Sequence, residues 1–237
     1  MKSILIIKNG TCDTDIELII KTIDQTIETI VIPSQSLTKS IIESKKNKYI
    51  GIIILGGYQS LTNRLDPSYQ HKYLNDLIEY TKYWIKNEVC VLGICLGAQI
   101  CAEAIGLKTI KMQHAISGYE KKLDIHNNDE ILKNELKNNL NNVLSCHYDC
   151  INYTNNHEFS FKMIATYNNI PYIFKINEKV YCVQFHPEIT LRIFNQIAKI
   201  YPFDNLTKQF ILNNEDKVLR TSILFMRNWL DTLNYEK

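Results

Sequence analysis

Short unbroken apolar runs alternate with segments of helical spacing along the first half of the chain. The runs predict buried strands at residues 3–7, 26–32, 49–57 and 88–94. Apolar residues three and four positions apart predict helices at residues 16–23, 36–45, 66–86 and 96–105. Because alternating strands and helices are typical of an open α/β sheet, we expect a mostly parallel sheet with helices on both faces.

The second half of the chain has shorter apolar runs separated by polar turns. We expect, in chain order, strands and turns at 108–125, a solvated loop with a short helix at 127–142, antiparallel strands at 152–184, and helices at 189–200 and 216–233. We therefore expect this half of the chain to add an antiparallel excursion to the mostly parallel sheet.

One domain is the expected organisation of residues 1–237. The chain is 45% hydrophobic, which is enough for one substantial core, and no internal repeat or linker divides it. Within this domain we expect a motif-bearing core at about 3–200 and C-terminal helices at 203–235.

Composition and charge exclude several classes of protein. The net charge is +2 with both signs interspersed, so we expect no nucleic-acid partner. No apolar run approaches the roughly 18 residues of a membrane span, and the first residues lack a cleavage site, so we expect neither a membrane anchor nor a secretion signal.

Seven cysteines without a framework spacing favour free thiols in a reducing compartment. We therefore expect a cytoplasmic protein.

The segment VLGICLGAQ at residues 91–99 joins a predicted strand to a predicted helix through a Gly-x-Cys-x-Gly turn. This order is typical of a nucleophile elbow, in which the nucleophile lies on a sharp, strained turn. Gly93 and Gly97 remove side chains that would clash across such a turn. Cys95 then lies above the sheet at a helix N-terminus, where the helix dipole and free N–H groups favour a thiolate.

A candidate base follows the last predicted strand, in the segment CVQFHPEIT at residues 182–190. His186 at the end of that strand can reach the neighbouring elbow. Glu188 can hold the ring tautomer and stabilise the imidazolium. Gly56 and Gly57 follow the third predicted strand, where glycines allow the backbone to approach a ligand closely.

Each of these features also has a structural interpretation. Cys95 fits a buried cysteine in a glycine-containing turn, since free cysteines are commonly buried. His186 fits a loop histidine before a helix, with Pro187 and Glu188 as ordinary helix-start residues, and the glycine pair fits a plain turn. The order of the three features, each after its own strand, is nevertheless hard to obtain by chance and favours a catalytic site.

The segments GICLGAQ and QFHPE resemble the motifs of the class I, or triad, glutamine amidotransferases. The resemblance covers most of the chain, from Ile4 to about Ile200, and is greatest to the amidotransferase domain of GMP synthetase and its stand-alone relatives. LGGYQS is similar to the family's GGP-x-S loop, and SCHYD at residues 145–149 is similar to its H-x-D segment. The family has a flavodoxin-like α/β fold, which the resemblance therefore implies.

The resemblance implies a mechanism in which Cys95 attacks the side-chain amide of glutamine, or of a related γ-glutamyl compound. A γ-glutamyl thioester forms and ammonia is released. His186 protonates the leaving ammonia and then activates water, and Glu188 orients His186. This mechanism agrees with the thiolate, base and orienting carboxylate inferred from the residues alone.

Further residues around the triad also receive roles from the resemblance. The N–H groups of Gly57 and Leu96 would donate to the oxyanion. The chain departs from the family at Tyr58, which replaces the proline of the GGP loop, and at Ile116 and Ser117, which replace a usual Glu-Ile pair. The implied substrate contacts are Gly56, Gln99, His147 and Asp149.

Nothing after Ile200 resembles an ATP-using synthetase domain, and the chain has no Gly-rich phosphate loop of either standard kind. The resemblance therefore implies that a separate synthetase subunit would hold the ammonia acceptor. Two other functions stay open. One is a stand-alone γ-glutamyl peptidase or hydrolase, and the other is a catalytically silent binding or regulatory protein of the same fold.

We expect neither a cofactor nor a metal in this chain. Cys146, His147 and Cys150 have a spacing that faintly resembles half of a zinc site. Zinc normally takes four ligands, and no second pair of ligands accompanies them. Cys101 lies six residues after Cys95, on another side of the predicted helix, so we expect it to serve packing.

Overall fold

The computed structural model describes residues 2–10, 13–39, 49–64, 66, 68–119, 122–133, 135–140, 143–153, 161–199 and 203–233. The strands within them are β1 (Lys2–Lys8), β2 (Ile27–Pro33), β3 (Gly51–Ile54), β4 (Val91–Ile94), β5 (Lys108–Gly118), β6 (Asp124–Ile125), β7 (Ser145–Asn152), β8 (Lys162–Tyr167), β9 (Ile170–Asn177) and β10 (Val180–Val183). The α-helices are α1 (Ile16–Ile23), α2 (Tyr73–Lys86), α3 (Leu96–Ala104), α4 (Leu136–Asn139), α5 (Leu191–Ile197), α6 (Asn205–Asn213) and α7 (Glu215–Thr232).

One large sheet of eight strands has the order β2-β1-β3-β4-β10-β9-β8-β6. Its first five strands are parallel to one another, and its last three are antiparallel to their neighbours. Strands β5 and β7 form a separate antiparallel pair. The predicted open, mostly parallel sheet with an antiparallel excursion is therefore confirmed.

Helices cover both faces of the parallel part of the sheet. Ile4 and Ile6 of β1 belong to one apolar cluster with α1 and α7, whereas Leu5 and Ile7 belong to another with α2 and α3. Successive side chains of a strand point to opposite faces, so both faces of β1 must be apolar. This is why the strand is an unbroken apolar run in the sequence.

The helix predicted to begin at Asp66 begins instead at Tyr73. The carboxylate of Asp66 accepts hydrogen bonds from the backbone N–H of Ser68 at 2.8 Å and from its hydroxyl at 2.7 Å, which closes a local turn. Of the helix predicted at residues 36–45, the part from 40 onward lies outside the described residues. A 3₁₀ turn at Ser34–Ser36 precedes it.

The prediction of a solvated loop at residues 127–142 is wrong for the apolar positions of that segment. The side-chain amide of Asn228 on α7 donates to the carbonyl of Ile131 at 2.9 Å, which fixes the segment against this helix. Because the segment is mostly polar, its composition does not indicate that some of its residues belong to the core. Its core residues are Ile131, Leu132, Leu136 and Leu140.

The C-terminal helix α7 has the amphipathic character that its sequence predicts. Its apolar residues Phe225, Met226, Trp229 and Leu230 are buried in the cluster that covers one face of the sheet. Among the described residues, no helix combines the length and apolarity required to cross a bilayer.

Candidate active site

Three neighbouring parallel strands, β3, β4 and β10, end at the same edge of the sheet. Gly56 lies just beyond the end of β3, Cys95 directly after β4, and His186 shortly after β10. The carboxyl ends of parallel strands are the usual position of ligand sites in open α/β sheets. The strand order thus brings together three features that are far apart in the sequence.

Cys95 has a strained backbone conformation between β4 and α3, with φ 51° and ψ −107°. This combination of φ and ψ lies outside the regions that residues other than glycine normally adopt, and residues strained in this way cluster at functional sites. A Cβ atom on Gly97 would lie 2.0 Å from the carbonyl oxygen of Ile54, and one on Gly93 would lie 2.7 Å from that of Gly97. Close backbone contact therefore requires both glycines, as the elbow pattern predicts.

Hydrogen-bond donors lie beside the buried thiol of Cys95. The side chain is 4% exposed, and the side-chain amide of Gln184 lies 3.5 Å from its Sγ. Leu96 is the first residue of α3, so the free N–H groups and the positive end of the helix dipole lie beside the thiol. Gln184 belongs to the QFHPE segment, yet nothing in the sequence shows that it contacts the cysteine.

His186 lies between Cys95 and Glu188. Its Nδ1 is 2.8 Å from Oε1 of Glu188. A Cβ atom on Gly56 would lie 2.9 Å from Cε1 of His186 and 3.3 Å from Cβ of Cys95, so the glycine leaves room for the thiol and the imidazole beside it. Burial lowers the pKa of His186, but the charges of Glu188 and of a Cys95 thiolate, with hydrogen bonds to both, raise that pKa well above 6.5. The charged imidazolium is therefore the favoured form.

Two side-chain contacts connect the loop at residues 56–64 to other parts of the fold. The hydroxyl of Ser60 donates to the carboxylate of Asp149 at 2.5 Å, which connects the loop to β7. The guanidinium of Arg64 lies 2.8 Å from the carboxylate of Glu103, whose side chain is 2% exposed. Since Glu103 belongs to α3, this ion pair fixes the loop to the helix that follows the elbow.

A cleft beside Cys95 contains most of the predicted oxyanion and substrate residues, and we call it the polar cleft. The side-chain amide of Gln99 donates to the carbonyl of Asp149 at 3.1 Å. The ring nitrogens of His147 lie 2.9 Å from that carbonyl and 3.0 Å from the hydroxyl of Tyr172, so the fold fixes both side chains. Gly56 alone lies outside this cleft, on the His186 side. The predicted residues that line it are Gly57, Cys95, Leu96, Gln99, His147 and Asp149.

Two further residues line the polar cleft: Ser60, which is the serine of the segment similar to the GGP-x-S loop, and Lys111, for which the sequence has no signal. The β5–β7 register places Lys111 opposite Asp149. Burial raises the pKa of Asp149, although the hydrogen bond from Ser60 and the charge of Lys111 lower it in part. A lysine and a carboxylate on facing strands are suited to the two charged groups of an amino acid.

The remaining cysteines do not form a metal site in the part of the chain that the structure describes, where no suitable cluster of His, Cys, Asp or Glu side chains occurs. Cys146 has a half-buried thiol at the border of the polar cleft. Burial raises its pKa, with a smaller opposing effect from His186. Cys101 is fully buried in the cluster beneath α3, as predicted for a packing residue.

The protein therefore combines an open α/β sheet with a strained cysteine beside a histidine–glutamate pair, which is the arrangement of an α/β protein with a cysteine at a nucleophile elbow. Residues 6–199 match the family model described as glutamine amidotransferase class-I. The chain belongs to this family, and its membership supports an amidohydrolase activity in broad terms.

Two relatives and one solved structure illustrate this relationship. The chain is 29% identical over 230 residues to a glutamine amidotransferase-like protein of Acanthamoeba polyphaga mimivirus, covering 97% of this chain and 96% of that protein. It is 31% identical over 182 residues to a GMP synthase of Borrelia garinii subsp. bavariensis, covering 75% of this chain and 30% of the synthase. The glutamine amido transferase of Methylobacillus flagellatus shares the fold, with a TM-score of 0.77, 15% identity, and coverage of 100% of this chain and 97% of that one.

The matches to GMP synthases cover only one part of those proteins. The chain spans between 24% and 31% of the length of each such relative. The relationship is therefore to their glutamine amidotransferase portion, as the resemblance in the sequence predicts.

Proposed function

We propose that this protein hydrolyses the side-chain amide of glutamine through a thioester on Cys95 and supplies the ammonia to a separate, GMP-synthetase-like subunit. The observation that carries the proposal is the arrangement of Cys95, His186 and Glu188. A strained nucleophile lies beside an imidazole whose Nδ1 is 2.8 Å from a buried carboxylate. Nucleophile, base and orienting group are the parts that covalent amide hydrolysis requires.

In the first half of the proposed reaction, the thiolate of Cys95 attacks the γ-carbonyl carbon of glutamine. The carbon–sulfur bond forms, and the developing oxyanion accepts hydrogen bonds from the N–H groups of Gly57 and Leu96. The carbon–nitrogen bond then breaks as the imidazolium of His186 gives its proton to the leaving nitrogen. Ammonia leaves, and a γ-glutamyl thioester stays on the sulfur.

In the second half, the neutral imidazole of His186 takes a proton from water. The water oxygen attacks the thioester carbon, the carbon–sulfur bond breaks, and glutamate and the thiolate are released. Glu188 stabilises the imidazolium each time it forms. The three side chains thus return to their starting state after each turnover.

Substrate recognition is assigned to the polar cleft. We place the α-carboxylate of glutamine near Lys111 and its α-ammonium near Asp149, since these opposite charges face each other across β5 and β7. Gln99 and His147 are hydrogen-bonded within the fold and support the cleft wall beside Asp149. The whole of residues 1–237 acts as one amidotransferase domain in this proposal.

Glutamine hydrolysis by the purified protein is the first prediction. Glutamate and ammonia should appear in equal amounts, and Cys95→Ser should abolish both products while the folded state persists, because a hydroxyl is far less ionised than a thiol. An electrophilic glutamine analogue should label Cys95, as read by peptide mass spectrometry. A label on Cys101 or Cys146, or full activity of Cys95→Ser, would show that Cys95 is not the nucleophile.

A further inference from the structure

The N-termini of two helices, α1 and α5, meet next to the His186–Glu188 pair. Asp15 is the N-cap residue of α1, and Thr190 is the N-cap residue of α5. Aspartate and threonine are common at this position because their side chains accept a hydrogen bond from an N–H group of the first helical turn. Within the described residues of these two helices, neither side chain does so. Instead, the hydroxyl of Thr190 donates to the carboxylate of Asp15, so both side chains serve a contact between the two segments.

The carboxylate of Asp15 is buried, with 4% of the residue exposed, and both of its oxygens bind the beginning of α5. Its Oδ1 accepts hydrogen bonds from two nitrogens of the Arg192 guanidinium, of which Nε lies at 3.0 Å. Its Oδ2 accepts the hydroxyl of Thr190. A buried charge is costly unless it is paired and hydrogen-bonded, so these partners fix the carboxylate in one place. The start of α1 is therefore connected to residues 190–192, directly after Glu188.

The backbone that carries His186 and Glu188 is anchored at both ends. The N–H group of His186 donates to the carbonyl of Leu144 at 2.9 Å, and the carbonyl of Glu188 accepts the N–H group of Asp15 at 3.3 Å. Only Pro187 lies between the two anchored residues, and its ring fixes φ at that position. The distance between the imidazole and the carboxylate therefore depends on where these two anchors lie, and Asp15 is one of them.

We propose that Asp15 is a positioning residue for the proposed reaction and that its contacts with residues 188–192 hold the carboxylate of Glu188 against the imidazole of His186. This inference rests on the proposed function, in which His186 gives and takes the proton. Asp15 is not among the described residues that line the polar cleft, so its effect on the rate passes through Glu188. Loss of its contacts should consequently lower kcat and leave the KM for glutamine unchanged.

The titratable groups that face His186 determine how a misplaced Glu188 would be observed. Glu188 faces the ring from the same segment, Cys95 from the elbow and Cys146 from β7, while Tyr119 at the end of β5 faces Glu188. The charges of Glu188 and of a Cys95 thiolate both raise the pKa of His186. A carboxylate that is no longer held close to the ring would raise this pKa less, so the imidazolium would be lost at lower pH. The alkaline limb of the kcat/KM profile should then move to lower pH.

The test uses Asp15→Asn, which keeps the volume of the side chain but offers one acceptor oxygen in place of two. The kcat for glutamine should fall roughly tenfold, less than the 10²-fold that a 1 Å misplacement can cost, while KM is kept. The alkaline limb of kcat/KM should move to lower pH, and no further than in Glu188→Gln. Asp13→Asn is the matched control, because it removes a carboxylate from the same loop whose side chain is 60% exposed, and it should keep wild-type kinetics.

Two further variants separate positioning from a purely structural role. Arg192→Gln removes the guanidinium from an exposed side chain, so it tests the same contact even where loss of the buried carboxylate unfolds the protein. It should move the alkaline limb in the same direction. In a Glu188→Ala background, Asp15→Asn should cause no further loss of kcat, because no carboxylate is left to be positioned, whereas independent effects would multiply.

The outcomes distinguish this inference from the function on which it rests. Folded Asp15→Asn and Arg192→Gln proteins with an unmoved limb would overturn the positioning role and leave the proposed function standing. The same conclusion would follow from an equal shift in Asp13→Asn and Asp15→Asn, or from an equal loss of kcat through Asp15→Asn in the wild-type and Glu188→Ala backgrounds. A wild-type protein that does not hydrolyse glutamine would overturn both proposals.

Discussion

The two halves of the candidate catalytic site are held in place by different forces. The elbow around Cys95 depends on contacts between backbone atoms, since Cβ atoms on Gly93 or Gly97 would lie within 2.7 Å of a neighbouring carbonyl oxygen. The half around His186 depends on charge and hydrogen bonding with Glu188. The elbow should therefore be sensitive to added volume, whereas the base should be sensitive to pH and to the removal of a charge.

Of the substitutions considered, removal of the base should have the largest effect on activity. His186→Asn should lower kcat/KM for glutamine by roughly 10²–10⁴-fold, the range for general acid–base catalysis. His126→Asn replaces an exposed histidine whose ring contacts Thr166, and it should keep wild-type kinetics. Equal kinetics of the two variants would show that His186 is a structural loop residue.

Added volume in the elbow should instead reduce stability. Gly97→Ala places a Cβ atom 2.0 Å from the carbonyl oxygen of Ile54, so the free energy of unfolding should fall by about 3 kcal/mol, the upper end of the range for overpacking. Gly106→Ala is the matched control, because its Cβ meets nothing within 4 Å. The positive φ of Gly106 should cost that variant only about 1 kcal/mol. Urea unfolding curves of equal midpoint for the two variants would contradict the steric account of the elbow.

The same difference explains how much of the site could be predicted from the sequence. The elbow and the His186–Glu188 pair are short segments in which the spacing itself imposes the geometry, so local patterns were sufficient. The polar cleft depends on the register that places Lys111 opposite Asp149, and strand register is a property of the folded sheet. The contacts of Gln184 with Cys95 and of Arg64 with Glu103 likewise join distant segments.

For the fold, the apolar runs predicted the parallel strands because both faces of those strands are buried. The prediction for the polar segment at 127–142 is wrong because a few apolar residues, chiefly Ile131 and Leu136, decide its packing against α7. Average composition carries little information about such a segment. The predicted start of α2 differs from the observed one because the Asp66 carboxylate closes a turn instead of capping the helix.

Removal of the orienting charge should have the smallest effect and should appear mainly as a change in pH dependence. The carboxylate of Glu188 raises the pKa of His186, so Glu188→Gln should lower that pKa. The imidazolium that protonates the leaving nitrogen is then lost at lower pH, and the alkaline limb of the kcat/KM profile should move to lower pH. The rate at the optimum should fall less than in His186→Asn, because Glu188 transfers no proton. Glu178→Gln is the control, because it replaces an exposed carboxylate beyond the opposite end of β10, and it should leave the alkaline limb in place. An unmoved limb in Glu188→Gln would show that the Glu188 carboxylate does not raise the pKa of His186.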